Sequence, residues 1–184
     1  MDRRGFVRVA AAGALAVLGP MPARASLARA VGLAELTSRS RHVLVAEPLD
    51  GESVWEHVGK RRHIVTYTRV RVVEVLGGPA VADEELLVRT LGGRVGDLAE
   101  LVHGEAVLTL GARSVLFTMP ARGALTVTAM AQGHYPLARD KLGAERLQRS
   151  PAAVELLREP GAAVQRLVGL DLESARRLLR QVRK

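Results

Sequence analysis

β-Branched and apolar residues crowd one stretch, residues 64–78, I-V-T-Y-T-R-V-R-V-V-E-V-L-G-G. Val, Ile, Thr and Tyr suit a pleated, half-buried surface, so the pattern predicts a long strand, stopped by Gly77-Gly78-Pro79. Its alternation is not uniform. Ile64, Thr66, Thr68, Val70 and Val72 share one face, yet Val73, Val75 and Leu76 are also apolar. A strand that changes its buried face midway contains a bulge or coils strongly, which a small closed barrel requires of a long strand. Shorter strands are predicted over residues 42–48, 85–90, 105–110, 114–119 and 125–130. Residues 132–137 read as an edge segment, because Pro136 cannot donate to an interior ladder. Between them lie a polar loop (49–63), a glycine-rich turn (91–96), a connector (97–104) and a hairpin turn (120–123).

Helical spacing brackets this β body. Residues 26–38 read as a short helix with Ser26 as N-cap. In the tail, Ser150-Pro151 reads as an N-cap followed by proline at the first helical position. Val154 and Leu157 line the face of that helix up to Pro160-Gly161. A second short helix spans 162–168. The third, 171–184, carries the apolar stripe Leu172, Ala175, Leu178, Leu179 and Val182. The expected fold class is mainly β with a helical tail (α+β). The expected organisation is a leader (1–25), a β domain (26–140) and a basic helical C-terminal tail (141–184).

The leader reads as an export signal. Arg3 and Arg4 open a charged start, a mildly apolar Ala/Gly-rich run follows over 9–19, and Pro20-Met21-Pro22 breaks it. Ala23-Arg24-Ala25 supplies the small-x-small pattern of a signal cleavage site, with a cut before Ser26, and Ala28-Arg29-Ala30 offers a second such pattern, leaving two positions for the cut. The run is too short to span a bilayer stably. Arg3-Arg4 followed by x-Phe-Val-Arg resembles the twin-arginine export motif, and the weak hydrophobicity of the core and Arg24 near the cut fit that route. Asp2 departs from the hydroxyl residue usual before the arginines. The expectation is a periplasmic or extracellular protein that meets the export machinery through its leader and keeps no transmembrane segment after cleavage.

Charge and composition narrow the function. The formal net charge is +8, carried as +3 by residues 1–25, 0 by 26–140 and +5 by 141–184. The body is therefore neutral. Cysteine is absent, which excludes disulfides, thiolate metal sites and a cysteine nucleophile. Aromatic residues are 3% of the chain. Single-strand nucleic-acid platforms need aromatic faces in a basic groove, and a neutral body with so few rings argues against nucleic acid as a partner.

The order short helix, strand, polar loop, long V-x-V-x-E-V-L-x-G strand, then a meander ending in a hairpin resembles a small OB-like barrel, closed or partly open. The residues that carry the likeness are Val70–Gly78 (V-R-V-V-E-V-L-G-G), Arg89-Thr90-Leu91-Gly92-Gly93 and Ser114-Val115-Leu116-Phe117. They resemble uncharacterised exported bacterial domains that are themselves similar to netrin and tissue-inhibitor-of-metalloprotease modules, over roughly residues 33–137. That resemblance implies a protease-regulating role. The eukaryotic inhibitors act through an N-terminal cysteine on the protease zinc, which this chain lacks.

Candidate chemistry concentrates in residues 49–63. Trp55, the only tryptophan, shares that segment with His57, Arg61, Arg62 and His63. Tryptophan and arginine are enriched at binding hot spots; the alternative is that Trp55 plugs a barrel end. His57 and His63 with Glu52 or Glu56 offer a metal set, but the spacing matches no standard site and Lys60, Arg61 and Arg62 would repel a cation. No metal or cofactor is expected. Gly92-Gly93-Arg94-Val95-Gly96 lacks the phosphate-loop pattern and reads as a turn needing positive φ. Ser53, Ser114, Ser150 and Ser174 lack a nucleophile-elbow context, so no catalytic residue is assigned. His103 and His134 could meet an acid in space, but no local pattern points to one. In the last helix, Asp171 and Glu173 at the start and Arg180, Arg183 and Lys184 at the end complement the helix dipole, or else face an acidic partner. The reading is an exported, non-catalytic binding module whose partner is a protein or an acidic envelope polymer. The alternative is a small hydrolase or metal-assisted enzyme with a site near Trp55–His63.

Overall fold

The structure is a computed structural model; it describes residues 28–154, 156–157 and 161–182. The leader residues Arg3, Arg4, Ala23 and Ala25, and the expected N-cap Ser26, lie outside the described residues. The protein is mainly β with a few helices, consistent with an α+β class. Strand β1 (Ala28–Arg29) and helix α1 (Leu33–Arg39) lead into two 17-residue strands, β2 (His42–Val58) and β3 (Arg61–Gly77). Then come β4 (Glu85–Leu91), the small strands β5 (Gly93–Val95) and β6 (Leu98–Glu100), β7 (Ser114–Ala121) and β8 (Ala124–Val127). A 3-10 turn (Met130–Gly133) precedes β9 (His134–Arg139) and β10 (Glu145–Leu147). The chain continues through β11 (Leu156–Leu157), α2 (Ala163–Leu167) and α3 (Leu172–Val182).

The main sheet has the order β10-β9-β7-β2-β3-β4-β8, and β8 also pairs with β7. All of these ladders are antiparallel except β4 with β8. The expected mid-strand change of face is present. Along the β2–β3 ladder, Val43 pairs with Gly77, Leu44 with Val75 and Ala46 with Val72, so Leu76 and Val73 are extra residues on β3. Each extra residue re-aims the strand. Val70, Val72 and Val75 therefore pack with Leu44, Ala46, Val88, Leu116 and Leu125. Val73 and Leu76 turn to the opposite side, against Val43, Val45, Phe117 and Tyr135.

That second cluster also takes in the helices. Leu33 and Leu36 of α1, Leu167 of α2, and Ala175 and Leu179 of α3 are all buried in it. A fully buried leucine stabilises by ~1.5–3 kcal/mol relative to exposure, enough to hold the C-terminal helices on the sheet. Arg176 of α3 also forms an ion pair with Glu74 of β3.

Several expectations are corrected. Residues 49–63 are not a loop: β2 runs to Val58 and β3 starts at Arg61, leaving a two-residue turn at Gly59-Lys60. The pairing is unbroken from Asp50–Arg69 to Val58–Arg61, because Val54, Trp55, Val58, Ile64, Val65 and Tyr67 supply β-forming side chains amid the charges. The first helix starts at Leu33, behind Gly32, not at Ser26. Residues 105–110 form no strand, while Pro120 lies within β7 and pairs with Leu125. β9 is flanked by β7 and β10 and is not an edge. Among the described residues, 151–154 and 156–157 are not helical. Leu156–Leu157 form a strand parallel to Ala28–Arg29, a long-range pairing that outweighs the local helical signal. No helix among the described residues is long and apolar enough to cross a membrane.

Candidate functional site

The β2–β3 hairpin carries all five residues singled out in the sequence. Gly59, at the first turn position, has φ +62, which glycine adopts without a Cβ clash and which suits a two-residue hairpin. Trp55 pairs with Ile64, Glu56 with His63, and His57 with Arg62. Alternation along a strand then puts Trp55, His57 and Arg62 on one face and Glu56, Arg61 and His63 on the other. The two histidines do not converge.

On the first face, the Arg62 guanidinium carbon lies 5.1 Å from the centroid of the Trp55 ring. Trp55 is 39% exposed, and His57 and Arg62 on this face, Lys60 in the turn and Arg61 on the opposite face are exposed as well. Lys60 and Arg61 have no ion-pair partner among the described residues.

On the second face Arg61 stays unpaired at the tip, while Glu56 and His63 are engaged. Arg89 of β4 donates to Glu56 through Nε (3.2 Å) and Nη2 (3.1 Å). Tyr67 Oη donates at 2.8 Å, and so does Arg122 Nη1, which also reaches the His57 carbonyl. These donors, Arg89 first, hold the Glu56 carboxyl down at about 2. The clamp ties the hairpin to β4 and to the β7–β8 turn. His63 Nδ1 lies 2.6 Å from Glu100 Oε1, while the Ile64 N–H donates to Oε2. The His63 hydrogen bond, followed by that of Ile64, lowers the Glu100 carboxyl. Because that carboxylate only accepts, Nδ1 carries the proton.

A cavity of about 270 Å³ adjoins the hairpin. It is lined by Thr66 and Thr68 of β3, Thr90 of β4, Glu100, Glu105 and Leu108 among others. Glu105 is 5% exposed. Its Oε1 accepts the Ala106 N–H at 2.9 Å and its Oε2 the Leu91 N–H at 3.3 Å. Burial pushes its carboxyl above the usual range, more than those backbone donors pull it down. The glycine-rich turn forms one wall as the β5–β6 hairpin. Thr66 Oγ1 donates to the Gly92 carbonyl at 2.7 Å, so the Ser53 hydroxyl at 2.9 Å must donate to Thr66. Gly93, at φ +135, packs where a Cβ would strike both hydroxyls. The expected positive-φ turn is what this segment forms.

Away from the hairpin, His134 is buried and its Nδ1 lies 3.0 Å from Ser150 Oγ. Burial lowers its imidazole to about 4, so it is neutral at pH 7. Among the described residues no carboxylate bonds its other nitrogen. Ser114 Oγ is buried without a hydrogen-bond partner, and His103 is exposed.

Sequence reasoning missed Glu105, Thr68 and Thr90, and the Glu56–Arg89 clamp. One signal existed for the clamp: Arg89 interrupts the apolar run E-L-L-V-R-T, so a charge had to be accommodated within a strand. No family model matches the chain, and no curated protein matches it in sequence.

Proposed function

We propose that the chain is an exported, non-catalytic binding module on an OB-like barrel, and that its β2–β3 hairpin is the contact surface for a protein or an acidic envelope polymer. The ladders β2–β3, β3–β4, β4–β8, β8–β7 and β7–β2 support the barrel reading, since they return to the starting strand with one parallel pair. Export rests on Arg3, Arg4, Ala23 and Ala25 in the leader.

The observation that carries the binding reading is the exposed Trp55–Arg62 stack, with unpaired Lys60 in the adjoining turn and unpaired Arg61 on the opposite face of the same hairpin tip. An arginine held over a tryptophan loses less freedom when it meets a carboxylate, and a cation over a desolvated ring gains roughly 0.5–2 kcal/mol. Glu56 does not neutralise this face, because it lies on the other one and is held by Arg89, Tyr67 and Arg122.

Because Trp55 is the only tryptophan, its fluorescence reports on the surface directly. Titration with poly-L-glutamate at low salt is expected to change the emission saturably. The apparent affinity should fall roughly tenfold or more in Arg61→Gln/Arg62→Gln and fade as salt rises. An emission that stays constant, or an affinity indifferent to both substitutions, refutes the surface. Residues 1–25 fused to a folded reporter should direct its export, and Arg3→Lys with Arg4→Lys should stop it.

A further inference from the structure

The cavity beside β5–β6 adjoins the hairpin, but Trp55, Lys60, Arg61 and Arg62 are not part of its lining. Its ionisable lining groups are two carboxylates, Glu100 and Glu105, and no basic side chain lines it. Glu100 is engaged by His63 and Ile64. Glu105 keeps lone pairs free, since each oxygen accepts a single backbone N–H. Arg89 acts on Glu105 only at a distance, its hydrogen bonds going to Glu56, so among the described residues this deeply buried carboxylate has no direct counter-charge.

The hydroxyls supply an independent observation. Thr68 and Thr90 line the same cavity at 3% and 6% exposure. Neither side chain makes a hydrogen bond among the described residues. The two stand diagonally across the β3–β4 ladder, where Thr68 pairs with Val88 and Thr90 with Thr66. The Leu91 amide, one residue beyond Thr90, is already bonded to Glu105, so the carboxylate sits at the Thr90–Leu91 peptide. Their hydroxyls have no protein partner among the described residues and are open to the cavity, where a ligand's donors can meet them. Exposed Leu101 and Val107 form the rim, giving access from solvent.

We propose that this cavity binds a small hydroxylated molecule bearing a primary ammonium, with Glu105 accepting from the ammonium and Thr68 and Thr90 meeting its remaining donors or its hydroxyls. An ammonium brings three donors and one positive charge, matching a carboxylate with two neutral acceptors. The volume of about 270 Å³ lies just under the ~300–1,000 Å³ of drug-sized sites, which favours a ligand no larger than an amino sugar.

The test uses glucosamine, with glucose and calcium chloride as comparisons, on the purified chain. Binding is read from the ¹H–¹⁵N resonances of Leu91 and Ala106, whose amides bond Glu105. Glucosamine should shift both saturably, with at least tenfold tighter binding than glucose, and Glu105→Gln should abolish the response. Thr90→Val, which keeps the side-chain shape, should weaken glucosamine about two- to tenfold and decides the matter if Glu105→Gln does not fold. Equal response to glucose, response to calcium alone, or a glucosamine response untouched by Thr90→Val overturns the assignment.

Discussion

The clamp on Glu56 makes the sharpest stability prediction. Glu56→Gln removes the charge and keeps one carbonyl acceptor for Arg89, Tyr67 and Arg122. A fall from the ordinary 4.5 to about 2 corresponds to about 3.4 kcal/mol at neutral pH without screening. Water reduces this, because Arg122 is 56% exposed and Glu56 is 19% exposed at the hairpin. Arg89 works the other way: at 9% exposure its guanidinium is left without an anion where water is largely excluded. The net loss is expected at about 1–3 kcal/mol. A lowered carboxylate contributes fully above its ordinary pKa and ceases to contribute as pH falls through the folded value. The gap between wild type and Glu56→Gln should therefore be whole at pH 7 and narrow between 4.5 and about 2. Urea unfolding followed by circular dichroism across that range measures it. A gap under ~0.5 kcal/mol at pH 7, or one of equal size in acid, would refute the clamp. Arg122→Gln should cost less than ~1 kcal/mol, as a partner exposed to water.

Other substitutions separate the remaining features. Glu105 is raised by burial, so the stability linked to it is present below its ordinary pKa and lost as pH rises through the folded value. Glu105→Gln should accordingly raise Tm at pH 7 and lose that advantage below pH 4.5; a Tm lowered equally at both pH values contradicts this. Leu179, 1% exposed, should cost about 2–5 kcal/mol when cut to alanine; a loss under ~0.5 kcal/mol in urea would mean that α3 is not part of the folding unit. Gly93→Ala should destabilise more than Gly96→Ala in the same assay, since a Cβ at Gly93 meets Thr66 and Ser53 while one at Gly96 meets nothing within 4 Å. The second change should cost only about 1–2 kcal/mol for its left-handed backbone.

The β body was legible where one face is buried. Val72-Val73 and Val75-Leu76 disclosed the change of face in β3, and the stripe through Ala175 and Leu179 disclosed α3. The polar hairpin was not, because charged residues such as Glu56, Lys60, Arg61 and Arg62 interrupt any apolar alternation there. Nor was β11, whose partner lies more than a hundred residues away and whose parallel pairing has no local signature. Trp55 and Arg62 stood out by residue type. Glu105 did not, since its surroundings are assembled from β3, β4 and a segment with no regular structure, each unremarkable alone.

Val72 and Val73 are adjacent in the chain yet answer to different packed masses, one ringed by strands, the other roofed by helices. Two extra residues on β3 turn it into a party wall. Neither room can be emptied without moving the masonry of the other, so two small compartments that would each be fragile alone should melt in a single cooperative step.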